Sequence, residues 1–169
     1  MAGCDQGSAP SAGEQREETA PTQGETASSV QGNVTTETEK PEPLTEPVSM
    51  TVTTQLTESR RLEVMGQTNL PEETRLEVLL ERRASGVNWQ IRTQVRDGGF
   101  VVGPLGPGSG LVGGRYVIRV RMPVADVQPM AVKARIGERG EHLTGPLVTR
   151  SPHGLGNIVE YSSDYLFDG

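Results

Sequence analysis

The chain has 169 residues, 16 of them Lys or Arg and 22 Asp or Glu, for a formal net charge of −6. It contains no run of 18 apolar residues, which excludes a membrane-spanning helix. Its single cysteine, Cys4, excludes an intrachain disulfide. The charge is unevenly placed. Residues 1–47 hold nine acidic residues against Arg16 and Lys40, a net of −7, whereas residues 48–169 hold 13 acidic and 14 basic residues, a net of +1.

Residues 1–47 are rich in Ser, Thr, Gly, Pro, Gln and Glu and contain no aromatic residue. Their sizeable aliphatics are Met1, Val30, Val34 and Leu44. Such a segment cannot bury enough apolar surface to offset a chain entropy of roughly 1–2 kcal/mol per residue, so it is predicted to be disordered. Like-charge repulsion and Pro41, Pro43 and Pro47 should keep it extended. It opens on Met1-Ala2-Gly3-Cys4, which resembles the end of a bacterial lipobox. That resemblance implies that Cys4 becomes a lipidated N-terminus and that an apolar leader is encoded upstream of Met1. It also implies that residues 5–47 form a spacer holding a domain off the outer side of a membrane. From the residues alone, Cys4 is an exposed thiol with no histidine near it to activate it.

From residue 50 onward the dominant period is two, the signature of half-buried strands. The stretch 50–56 (MTVTTQL) is the first candidate strand and 60–66 (RRLEVMG) the second. In 75–82, Leu76, Val78 and Leu80 alternate with Arg75, Glu77 and Glu81. In 87–95, Val87, Trp89, Ile91, Thr93 and Val95 alternate with Asn88, Gln90, Arg92 and Gln94. A short candidate follows at 99–102. In 115–122, Tyr116, Ile118, Val120 and Met122 alternate with Arg115, Arg119 and Arg121. The last two candidates are 131–137 (AVKARIG) and 157–167 (NIVEYSSDYLF). Turn signals such as Asn69-Leu70-Pro71, Asp97-Gly98-Gly99 and Ser151-Pro152-His153-Gly154 separate them, and no helical period stands out. Seven or eight short strands, each with one polar face, predict an antiparallel β-sandwich over residues 48–169.

Three segments, 66–80 (GQTNLPEETRLEVLL), 97–100 (DGGF) and 113–120 (GGRYVIRV), resemble the small immunoglobulin-like or transthyretin-like sandwich modules of bacterial envelope proteins. The resemblance implies an immunoglobulin-like fold in which Phe100 and Tyr116 plug the core and Asn69 and Pro71 set a turn. The family's Leu-Pro-Pro-Gly ahead of the tyrosine is replaced here by Leu111-Val112-Gly113-Gly114. In such modules these residues build the fold and bind nothing.

No catalytic constellation stands out. Residues 108–113 (GSGLVG) match Gly-x-Gly-x-x-Gly, but a dinucleotide site needs a helix after that motif, and a strand follows here. His142 and His153 fall short of the three or four ligands a zinc site takes. Ser151 and His153 with Asp164 or Asp168 lack any nucleophile signature. Glu72-Glu73 sit in a turn, and Tyr161 and Tyr165 are expected to pack inward with Val159. The expectation is therefore a protein without enzymatic activity and without cofactor.

Charge is the one distribution above noise. Arg92, Arg96, Arg115, Arg119, Arg121, Lys133, Arg135 and Arg139 fall within 88–96, 115–121 and 133–139, with Glu138 as their opposing acid. If those stretches share a sheet, one face carries a basic patch able to hold an acidic protein or an anionic polymer, since guanidinium binds carboxylate and phosphate bidentately. It is alternatively an ordinary solvated face. Nucleic acid is not an expected partner, because the domain's net charge is only +1 and no aromatics interleave with the arginines.

Overall fold

A computed structural model of the chain describes residues 41–169. The expectations for residues 1–40, Cys4 among them, lie outside the described residues.

Eight strands form two antiparallel sheets. β1 (Met50–Leu56), β2 (Leu62–Thr68) and β5 (Gly99–Leu105) make the smaller sheet, in the order β1-β2-β5. β3 (Arg75–Arg82), β4 (Asn88–Gln94), β6 (Gly114–Met122), β7 (Val148–Arg150) and β8 (Asn157–Phe167) make the larger, in the order β4-β3-β6-β8-β7. This is the predicted immunoglobulin-like sandwich. In that fold's lettering β1, β2 and β5 are A, B and E, and β3, β6 and β8 are C, F and G. β4 takes the place of C′, and β7 is an added strand beside G.

The period-two pattern explains the core. Leu62, Val64, Leu76, Val78, Leu80, Ile118, Val120 and Met122 are almost wholly buried between the sheets. Trp89, Tyr161 and Tyr165 pack against this cluster while staying partly accessible. Phe100 is buried, and its ring lies over Gly66, its register partner on β2, where a side chain would collide with it. The Asp97-Gly98 turn has positive φ at both residues (52° and 78°), the backbone of a two-residue hairpin. Paired bonds between Arg96 and Gly99 close it and carry the chain from the larger sheet to the smaller.

Tyr116, 1% exposed at the start of β6, makes the tyrosine corner of the immunoglobulin fold. Its hydroxyl donates to the Val112 carbonyl at 2.7 Å and accepts from the Val112 N–H at 3.2 Å. The loop ahead of it is pinned by Leu111, which is buried and whose N–H donates to the Arg60 carbonyl.

The structure corrects one element. Residues 131–137, read as a strand, are helical: α1 spans Met130–Ile136. Val132 and Ile136 are buried, and a spacing of four satisfies a strand and a helix equally. Ala134 decides between them. A strand would bury it with its neighbours, and it is exposed. α1 belongs to an excursion from β6 to β8 that closes one end of the sandwich. There Gln128 bonds both backbone groups of Arg75, where β3 begins, and Asn157, where β8 begins, bonds Arg139 and Gly140. The excursion also contains β7, which is too short to show a period.

Packing starts before residue 48, where the sandwich was expected to begin. Leu44 is buried, its N–H donates to the Arg135 carbonyl, and the Val48 N–H donates to the Thr144 carbonyl. Tyr116→Phe should cost about 1 kcal/mol, the usual range for one intramolecular hydrogen bond. A lower urea midpoint with an unchanged slope would register that loss.

Candidate binding surface

Alternation along β3, β4, β6 and β8 throws all their charged residues but Arg82 onto the outer face of the larger sheet, and register sets them side by side. One row across the sheet reads Arg92, Glu77, Arg121, Glu160. Arg121 meets Glu160 at 3.3 Å, Arg119 meets Glu81 at 3.2 Å and Arg83 meets Asp164 at 3.0 Å. Arg92 stands 3.9 Å from Glu77. Much of the expected basic patch is thus matched by carboxylates from β3 and β8. A count along 88–96 and 115–121 passes over both strands.

The structure also divides seven of the eight basic residues singled out. Arg92, Arg115, Arg119 and Arg121 share the outer face, and Arg96 stands just beyond the end of β4. Lys133 and Arg135 do not belong to the sheet, because their segment is α1. Lys133 pairs with Glu138 at 3.0 Å, and Arg135 Nε donates to the Glu42 carbonyl. Arg115 lies opposite Leu166 on β8 and has no ion pair among the described residues.

Three arginines gather on the β4 side. A groove of about 740 Å³ runs along the β4 side of the larger sheet and is lined by Arg75, Arg92 and Arg96. Glu77 is the one carboxylate in its wall, and Leu76, Pro123 and Val127 form the apolar part. Arg75 is opposite Gln94 in the register, so it stands between the levels of Arg92 and Arg96. Arg75 Nη1 donates to the Val127 carbonyl at 2.7 Å, and Arg96 Nη2 donates to Gln94 Oε1 at 3.0 Å. Neither bond neutralises a charge. Nearby, Glu72 accepts from the Asp97 N–H. Arg75 was missed as a site residue because the charge of its own stretch is balanced. The alternation of β3 alone assigns it outward.

The other candidates have structural settings. Residues 108–113 form the loop that Leu111 pins ahead of β6. Ser151 is buried, and its hydroxyl accepts the backbone N–H of His153, whose side chain is exposed. Glu141 accepts the backbone N–H of Arg139 at 2.8 Å, and this bond holds its carboxyl below the usual range. Partial burial pushes the Tyr165 phenol up. Among the described residues no three His, Cys, Asp or Glu side chains stand close enough to share a metal ion. No described helix is long and apolar enough to cross a membrane.

Compared with known proteins, the chain matches no family model, no curated protein and no solved structure.

The Arg119 and Glu81 side chains are 38% and 29% exposed. A double-mutant cycle with Arg119→Gln and Glu81→Gln should therefore give a coupling of about 0.5 kcal/mol that shrinks in high salt. A coupling that high salt leaves unchanged would contradict a solvated pair.

Proposed function

We propose that this chain is a non-catalytic binding or scaffolding module of the bacterial cell envelope, anchored outside the cytoplasm by lipid on Cys4. Residues 5–40 serve as its spacer. The observation behind the non-catalytic part is the use the fold makes of its buried polar side chains. Thr74 Oγ1 donates to the Pro71 carbonyl, Gln128 holds both backbone groups of Arg75, and Ser151 caps its own turn. Each is spent on fixing backbone. The lipobox-like Ala2-Gly3-Cys4 and the polar, acidic run behind it support the anchor.

Intact mass of the protein made from its native locus tests the anchor. A membrane-fraction species beginning at Cys4 and carrying diacylglyceryl mass is expected. A soluble species beginning at Met1 or Ala2 would overturn it.

A second reading, recognition of an anionic ligand, is favoured by the three arginines gathered in a groove with one carboxylate. Retention on heparin resin should fall for the Arg92→Gln, Arg96→Gln double variant. It should change little for Arg119→Gln, Arg121→Gln, which removes the same formal charge from paired positions. Retention should also drop steeply with salt. Equal losses in the two variants would reduce the effect to net charge.

A further inference from the structure

We infer that β4 accepts an extended acidic segment of a partner protein as a sixth strand of the larger sheet, its carboxylates on Arg92 and Arg96. This rests on the reading of the chain as a binding module and names the partner's chemistry and its mode of docking.

Four strands end the two sheets: β1 and β5 in the smaller, β4 and β7 in the larger. Exposed edges offer unpaired N–H and C=O groups to any incoming strand, and proteins blunt them. β7 is only three residues long. β5 carries Pro104, which has no N–H to offer, and its register with β2 breaks between Leu62 and Val64. β1 is open but bears no charged side chain, so it does not discriminate among partners. β4 is seven residues long, and among the described residues the backbone of Asn88–Gln94 pairs with β3 alone.

Both faces of β4 then specify what would fit. Its outward side chains are Asn88, Gln90, Arg92 and Gln94, with Arg96 next in the same alternation, and none is acidic. Arg92 is 86% exposed and only loosely held by Glu77. A second copy pairing through this edge would bring like charges together across the strands, which is unfavourable. The Arg96 backbone is already paired with Gly99, so an added strand ends opposite Gln94. Carboxylates four residues apart, roughly 13 Å in extended chain, placed opposite Gln90 and Gln94 meet the Arg92 and Arg96 side chains on the diagonal. On the inner face Trp89 and Ile91 are only partly covered, and Val87 before them is half exposed. A partner strand with apolar residues between its acidic ones would cover that side. Of the acids near the groove, Glu77 stands 3.9 Å from Arg92 and Glu72 accepts the Asp97 N–H.

The test uses the full chain and a capped nine-residue peptide, Thr-Val-Glu-Val-Thr-Val-Glu-Val-Thr. Trp89, the single tryptophan, reports from β4 itself. The expected result is a saturable fluorescence change that weakens with salt. Arg92→Glu with Arg96→Glu should lower the affinity about ten-fold or more, because it places like charges in contact. The same double variant should bind the peptide whose two glutamates are replaced by lysine, which also shows that it folds. Alternate N-methylation of the peptide backbone should abolish binding, since it removes the ladder hydrogen bonds. Three results would overturn the inference: no binding by the unmodified peptide, equal binding by the N-methylated one, or a response to heparin alone. A soluble species beginning at Met1 would remove the lipid anchor and leave this inference standing.

Discussion

Three strands face five, and that mismatch shapes the rest of the molecule. With strands about 4.8 Å apart, the smaller sheet spans roughly 10 Å between its outer strands and the larger roughly 19 Å. The sandwich core can be dry only where both sheets are present. At the end where β3 and β8 begin, the chain supplies extra cover from the β6–β8 excursion and from the segment ahead of β1. Ala125, Val132, Ile136, Leu143, Leu44 and Val48 all join the core cluster there. On the β4 side no described strand of the smaller sheet continues beyond β5. Trp89 and Ile91 face that side and keep part of their surface in water. The same geometry that makes a sound core therefore leaves one strand overhanging it.

Electrostatics follow from register more than from composition. Carboxylates on β3 and β8 alternate with guanidinium groups on β4 and β6, so the outer face of the larger sheet is largely self-neutralised. A surface pair of this kind contributes little stability, but it decides where uncompensated charge is left. The largest such group is on the β4 side, where Arg75 and Arg96 donate to neutral oxygens and not to carboxylates.

The strands were legible in the sequence because alternation over four or more residues records a half-buried face. β1 and β8 have the limits that pattern predicts, and β2 starts two residues later than expected. The resemblance placed Phe100 and Tyr116 in the core, and both are buried there. α1 was misread because Val132 and Ile136 fit either period, and β7 is too short to carry one. Sheet order was not legible at all, since the partners of a strand are set by tertiary packing. That gap bears directly on the surface. Arg92, Arg119 and Arg121 were identifiable as outward-facing, but their carboxylate neighbours appear only once β3 and β8 are known to flank β6. The segment 41–48 was hidden by its composition, where one leucine and one valine among prolines and glutamates suffice to dock the backbone.

That docked segment also decides how the domain responds to tension. A pull transmitted through residue 40 reaches the Arg135 bond to the Glu42 carbonyl and the Leu44 and Val48 amide bonds to the β6–β8 excursion before the seven-residue ladder between β1 and β2. These bonds, with the apolar contacts of Leu44 and Val48, are the ones such a pull loads first. The C-terminal Gly169 lies beside Gly113, next to the start of β6 and away from this path. Force entering from the N-terminal side is thus taken up first at the capped end.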